Sequence, residues 1–550
     1  MARGEPRACR GDRRRRHARR ARPRGRRHRP HRHRQRLRRH PRRSRGSPAR
    51  VRLPAPLRGA HGEGLVRPGS QEAGLRQHPP SGRGLGGELL VSTAHRDGQL
   101  VFNAFTELTP GHHFDGTWRL PAVRDRSYLK LKTWTDMART LERGCFDAVF
   151  IADGLGLGGT FGGSHDHAMS HGFLFPNNDA IIVATAMAAA TENLSAIFTS
   201  SLIQNHPFEF ARLASTLDHL VDGRMGWNVV TSALENSFKN VGYDALPSRE
   251  ERYARADEFL EVVYKLWEGS WADDAVIADV ETGVWSDPSR IRKIDHKGRS
   301  FSTEGPHQSQ PSPQRTPFLA TPGGSTYAID LAAQHGELFL TAAPSIEVLK
   351  DTKRMLDAKL RSYGRDPKSV KLMQMSHFVI GSTREEAMRK LEETFSYIDP
   401  LSDLVVLGGI ASLDLGMRPY DEPFRIDDEP RMKAHFARQL EALGNPDVVT
   451  IGQLTGFPEH TLKDLVFAGT PEEIADRLEE WRDAGLGGCN VGDYAFHGGY
   501  DDFVDHLCPV LQERGLMQRE YTRGSLRNKV FGEGDRLPSS HPAAAYRWWA

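Results

Sequence analysis

The 550-residue sequence is poor in cysteine, and its four cysteines (Cys9, Cys145, Cys489 and Cys508) form no CxxC pair. That excludes a disulfide framework and a cysteine-built zinc centre, and it suits a reducing, cytoplasmic setting. No stretch approaches the apolar length needed to cross a bilayer. There is no GxSxG elbow and no HExxH, so nucleophilic serine chemistry and zincin chemistry lack their usual signatures. Lysine is missing from the first ninety residues. Met1–Leu90 carries 28 arginines and five acids, a net of +23, which leaves −18 for the rest of a chain whose total is +5. The excess basicity is confined to one segment and the body is acidic, so the net charge of the whole does not indicate nucleic-acid binding.

Residues 1–90 are rich in Arg, Pro, Gly and His, show no hydrophobic periodicity and hold too little apolar matter for a core. No apolar stretch follows the arginines, which removes a twin-arginine signal. A nucleic-acid-binding arm is one reading. The preferred reading is GC-rich DNA translated in the wrong frame or from too early a start, with Val91 as an alternative start, because no methionine lies between Met1 and Met137. The segment is therefore expected to be disordered and is set apart from residues 91–550.

From Gln99 onward a rhythm begins. Eight short apolar runs read as strands: Gln99–Glu107, Asp147–Asp153, Leu194–Ile203, Gly223–Ser232, Pro317–Pro322, Gly336–Ala342, Val370–Gly381 and Gly487–Ala495. Near-continuous apolar runs suit strands buried on both faces of a parallel sheet. The segments between them have helical period, as in Phe210, Leu213, Ala214 and Leu217, or Phe259, Leu260, Val263 and Trp267. Thr383 with Glu386 and Thr470 with Glu473 read as capping boxes, and Pro471 suits a first turn. Eight such units in one chain predict an α/β TIM barrel. Two intervals break the rhythm, Ser270–Thr316 and Ile398–Gly469; insertions this long are usually lids or walls of a site. The residues after Gly515 read as a tail packed on the barrel or on another subunit.

In such a barrel the chemistry sits at the C-terminal strand ends, which directs attention to Asn103, Asp153, Thr199, Ser200, Asn228, Thr231 and Ser325. Taken singly, each is as readily structural: Asp153 as a turn cap, Thr199 as a β-former, Ser325 as a helix N-cap. Gly323–Gly324–Ser325–Thr326 succeeds a strand and opens a helix, the best phosphate-binding arrangement in the chain. Gly154–Gly159 matches GxGxxG, but residues 160–178 after it have no helical period, so a dinucleotide site is not expected. His165, His167 and His112–His113 lie in loops without a carboxylate set at ligand spacing, and no metal is expected.

Several longer motifs carry a resemblance. GRMGWNVVTS, ERYARADEFLEVVYKLWEGSWADDAV, DHKGRSF with GPHQSQPSPQRTP, and YDDFVDHLCPVLQERGL resemble, in order, the nitrilotriacetate, dibenzothiophene-sulfone and long-chain alkane monooxygenase group of the luciferase-like flavin monooxygenases. The similarity runs from about Leu100 to Arg547. It implies that residues 91–550 form one monooxygenase domain. It also implies noncovalent FMN, reduced by a separate NAD(P)H:flavin reductase; O2 and a small organic molecule as substrates; and a homodimer or homotetramer. Asp153, Thr199, Tyr253 and Ser325 fall on the positions that hold FMN; Asn103 and Asn228, from their strand-end placement, and Arg249 are expected to line the reactive face. Where the family has His, in HDERY, this chain has Arg249, a permanent cation that serves poorly as a proton carrier. Thr109 replaces a cysteine of the alkane enzymes, and Thr321–Pro322–Gly323 replaces QAG. The alternatives are a deazaflavin-dependent oxidoreductase of the same barrel class, and a non-catalytic barrel carrying a nucleic-acid-binding arm.

Overall fold

A computed structural model describes residues 98–111, 116–121, 127–399, 401–411, 413–455, 465–493 and 499–549. The Arg-rich segment, Val91 and His112–His113 lie outside the described residues. Nine parallel strands are joined in one sheet: β1 (Val101–Glu107), β2 (Ala148–Ala152), β3 (Ser195–Ser201), β4 (Met225–Val230), β5 (Phe318–Pro322), β6 (Leu338–Thr341), β7 (Lys371–Ile380), β8 (Val466–Gly469) and β9 (Gly488–Gly492). β1 pairs with both β2 and β9, and β6 pairs with β7, so eight strands close into a barrel. The expected TIM barrel is thus present, and each predicted strand contains an observed one. The sequence reading did not include β8, which pairs only with the C-terminal half of β7, at His377–Ile380, outside the closed ring.

The outer ring is formed by α1 (Leu131–Arg143), α2 (Ala180–Ala189), α3 (Pro207–Leu220), α4 (Arg249–Gly269), α5 (Thr326–His335), α6 (Ile346–Ser362), α7 (Arg384–Phe395) and α8 (Pro471–Asp483). Their starts reflect local chemistry. Ser248 and Thr470 form full capping boxes with Glu251 and Glu473, and Pro471 comes directly after Thr470. Thr383 accepts from Glu386 N–H, but the Glu386 carboxylate takes Ser382 N–H instead of closing a box.

Strand residues divide by parity. Phe102, Ala104, Val149, Ile151, Phe198 and Trp227 face the helices in the main core, whereas Val101, Phe105, Phe150, Ile197, Phe318 and Leu340 fill the barrel. Both faces of each strand are dry, which is why the runs lack polar alternation. The tail packs on the barrel as expected: Leu526, Val530 and Phe531 join the interior cluster. Arg527 forms a buried bidentate pair with Glu337, which precedes β6. The helix Leu526–Phe531 therefore plugs the N-terminal end of the barrel and leaves the opposite end as the mouth.

The described residues of both insertions are folded. Residues 270–316 include two hairpins, Val276–Asp279 with Val284–Ser286 and His296–Lys297 with Ser302–Thr303. The second insertion has a small core of its own, including Leu404, Leu415, Phe424, Met432 and Phe436. No helix among the described residues is long and apolar enough to cross a membrane.

Candidate active site

The strand parity that fills the lower barrel with apolar groups places polar ones higher up. Asn103, Thr199, Asn228 and Asn490 all occupy inward positions and are all buried. Asn103 Nδ2 donates to Asn490 Oδ1 at 3.0 Å, and Asn228 Nδ2 donates to Thr199 Oγ1 at 2.9 Å. Each pair uses only part of its capacity: Asn103 Oδ1, Asn228 Oδ1 and Asn490 Nδ2 are buried without a hydrogen-bond partner. Unmet buried polar atoms are costly, about 1–3 kcal/mol each, and their gathering at a barrel mouth is the mark of a ligand site. The sequence reading missed Asn490. It lies in GGCNVGDYA, on the last barrel strand, and its only signal was a polar residue at an inward position.

Asp153 comes directly after β2 and accepts from Gly154 N–H (2.6 Å), Asn177 Nδ2 (3.2 Å) and Ala180 N–H (3.3 Å). It therefore ties the β2 loop to the start of α2, which is the turn-capping role. Burial, opposed by these donors, lifts its carboxyl to about 6.

A second group forms outside the strand ends. Ser325 caps α5, accepting from Ala328 N–H at 3.2 Å. Tyr327 lies 5.3 Å from the Tyr253 ring, and the Arg249 guanidinium sits 5.8 Å above it. Arg249 and Tyr253, one helical turn apart, thus meet the same aromatic ring. Gly323 has φ +139°, and a Cβ there would lie 2.6 Å from Ala328, whereas at Gly324 a Cβ would meet nothing within 4 Å. The turn is open where a ligand would approach the helix N-terminus. A cleft of about 680 Å³ beside it is lined by Ser248, Arg249, Arg252, Tyr327, Arg431 and His435. An adjoining cleft of about 380 Å³, reaching Gly159, Asn236 and Asp414, shares Ala233, Leu246 and Arg431 with it. Between the two groups stands Ser232, a non-glycine residue at φ 53°. Arg252 donates to its carbonyl, and its hydroxyl is 2.7 Å from Ser201 Oγ. Backbone strain held in this way is characteristic of functional sites. Neither Ser232 nor Arg252 stood out in the sequence.

The glycine run Gly154–Gly159 has a different purpose from phosphate binding. A Cβ at Gly156 would meet Asn236 and Ser237 at 2.4 Å, and one at Gly159 would meet the Val405 carbonyl at 2.4 Å. The glycines let the β2 loop thread between helix Glu235–Asn240 and the insertion helix Leu401–Ala411. Asp414 secures the same contact by accepting Gly162 and Gly163 N–H at 2.9 and 2.6 Å. The β2 loop and the second insertion thus form one cover.

A closed parallel barrel, plugged at its N-terminal end and carrying an unmet polar lining and a cationic cleft at the other, defines an α/β-barrel enzyme with a single mouth. The chain belongs to the luciferase-like monooxygenase family, whose model matches residues 115–487. It is 37% identical over 456 residues to dimethyl-sulfide monooxygenase of Hyphomicrobium sulfonivorans, covering 82% of this chain and 94% of that one. It is also 37% identical over 451 residues to long-chain alkane monooxygenase of Geobacillus thermodenitrificans, covering 82% and 98%. A solved riboflavin lyase structure, with modified FMN and riboflavin, superposes with a TM-score of 0.71 at 31% identity, covering 82% of this chain and 99% of that one.

Proposed function

We propose that this chain is the oxygenating half of a two-component system: it takes reduced FMN from a separate NAD(P)H:flavin reductase and uses O2 to oxygenate a small organic substrate. The observation that carries the reading is the set of unpartnered polar atoms on Asn103, Asn228 and Asn490 at a mouth flanked by the Arg249–Tyr253–Ser325 cluster. FMN matches both halves. Its flat ring carries carbonyl and imide groups for the asparagines, and its phosphate suits an open helix N-terminus beside arginines.

In this reading Ser325 and the N–H groups that open α5 hold the phosphate, with Tyr253 walling the chain that links phosphate to ring. Thr199 and Asp153 border the ring, and Asn103 and Asn228 fix its orientation. Bound reduced FMN supplies the electrons that split O2, one oxygen atom going to the substrate and the other leaving as water. The protein excludes bulk water through the cover made by the β2 loop and the second insertion. Arg249 contributes fixed positive charge and does not shuttle protons.

The test is anaerobic titration of the purified full chain with reduced FMN, then admission of O2 with absorption spectroscopy of the flavin. Saturable binding, and reoxidation slower than that of free reduced FMN, support the reading. A folded chain that leaves reduced FMN unbound overturns it. Ser325→Glu is expected to abolish binding by setting a carboxylate against the phosphate, and retained binding would remove Ser325 from the site.

A further inference from the structure

One polar cluster lies apart from the flavin site. His167 and His171 sit one turn apart on the short helix Asp166–His171, and Asp399 reaches them from the start of the second insertion. His167 Nε2 is 2.7 Å and His171 Nε2 3.8 Å from the same Asp399 oxygen, Oδ2. The other carboxylate oxygen is already engaged, accepting Leu401 N–H at 3.2 Å. His171 Nδ1 lies 3.0 Å from the His167 carbonyl and 2.9 Å from Ser170 Oγ; with its hydrogen on Nδ1 the ring donates to that carbonyl and Nε2 is left as an acceptor. In the neutral ring, Nε2 then turns a lone pair toward a carboxylate oxygen. Two acceptors facing each other repel unless something positive stands between them.

We propose that His167, His171 and Asp399 form a binding site for a divalent transition-metal cation of the Zn2+ type, which clamps the second insertion onto the β2 loop. Two imidazole nitrogens and a carboxylate oxygen, with water completing the shell, form a donor set that such cations favour and Mg2+ or Ca2+ does not. A tetrahedral centre with bonds of about 2.0–2.2 Å sets its ligand atoms roughly 3.4 Å apart. That spacing falls between the two observed separations, so His167 moves outward by about 0.7 Å and His171 inward by about 0.4 Å, and the two rings, stacked at 4.2 Å with their planes 19° apart, turn so that both Nε2 atoms aim at one ion. The His167 carbonyl stands where the second-sphere acceptor of a metal-bound His171 belongs, 3.0 Å from Nδ1. The side chains are 12%, 46% and 20% exposed for His167, His171 and Asp399, so the site is sheltered yet open to an ion from solvent. The clamp joins the same two segments as the Asp414 contacts to Gly162 and Gly163, and it would make closure of the cover metal-dependent.

The experiment uses the full chain, freed of metal by a chelator and titrated with Co2+ as a spectroscopic stand-in for Zn2+, with no flavin present. Wild type is expected to develop visible ligand-field absorption from one tightly bound Co2+, displaced by one equivalent of Zn2+ and unaffected by excess Mg2+. Asp399→Asn and His171→Ala should each weaken that binding by roughly 100-fold or more, since even outer-shell changes cost about 10–100-fold. Because residues 1–90 contain further histidines, the difference between wild type and variants is the reading that counts. Equal Co2+ binding by wild type and both variants overturns the proposal, as does displacement by Mg2+ as effective as by Zn2+. Circular dichroism confirms that the variants are folded, and a wild type that binds no Co2+ reduces the cluster to an ion pair.

Discussion

Asp153 makes the site's protonation measurable. Its folded carboxyl is lifted from 3.8 to about 6, chiefly by burial. In the folded chain it holds a proton through a window in which the unfolded chain has already released one. Folding stability should therefore fall as pH rises from about 4 to about 6 and then stay level. A shift of roughly 2 units corresponds to about 3 kcal/mol; the side chain is only partly shielded, and solvent screening reduces that to about 1–2 kcal/mol. Asp153→Asn removes the titration. Its amide oxygen still accepts from Gly154 N–H and Asn177, although its NH2 end meets Ala180 N–H badly, which lowers stability by an amount independent of pH. The assay is urea unfolding of wild type and variant across that pH range, monitored by tryptophan fluorescence. The stability of the variant relative to wild type should climb by about 1–2 kcal/mol between pH 4 and pH 6. A gap that does not change with pH would refute the assignment of a raised carboxyl to Asp153.

Further perturbations separate the parts of the molecule. Arg249→Ala should weaken reduced FMN binding by roughly 10–100-fold, the worth of a charge-assisted hydrogen bond of about 1.5–3 kcal/mol, with a smaller loss in high salt; fluorescence titration reads it. Gly159→Ala drives a methyl group into the Val405 carbonyl and should cost about 1–3 kcal/mol, loosening the cover so that more hydrogen peroxide escapes per flavin oxidised. Arg527→Met strands the buried Glu337 carboxylate and should cost about 3–5 kcal/mol, with part regained in the double variant Arg527→Met, Glu337→Gln. Both are measured by denaturant unfolding.

The barrel was legible in the sequence because its strands are dry on both faces. Runs such as VFNAF and AVFIA left few other assignments, and the helix starting at Pro471 announced itself through Thr470 and Pro471, whereas the Ser248 cap was not singled out. β8 was not legible: FAG is too short to stand out, and its pairing with His377–Ile380 is a tertiary matter. The core of the second insertion was hidden because its described residues are spread over many separate elements without a sustained period. At the proposed site, Thr199, Asn228, Asn103, Tyr253, Arg249 and Ser325 all stood out in the sequence; in the structure Asn228 meets Thr199, Asn103 meets Asn490, and Arg249 and Tyr253 share Tyr327. Asn490 escaped because GGCNVGDYA has too few apolar neighbours to show which way its asparagine faces, and Arg252 because one arginine in a charged helix carries no local signature. The GLGLGG run illustrates the converse, a motif whose glycines answer to close backbone approach and not to a phosphate. His167 and Asp399 are 232 positions apart, a separation at which no ligand spacing can be read.

The closure of the barrel also constrains how the protein is made. Asn103 and Asn490 face each other across the seam between β1 and β9, 387 residues apart. A ribosome adding about 5–20 residues per second needs roughly 20–80 s to make the chain between them. Throughout that time β1 offers an unpaired edge flanked by Val101, Phe102, Ala104 and Phe105, the kind of surface on which nascent chains aggregate. The lower opening stays unsealed longer still, until Leu526–Phe531 arrives. Yield in a cell should therefore respond to shielding of the half-made barrel as well as to the stability of the finished fold.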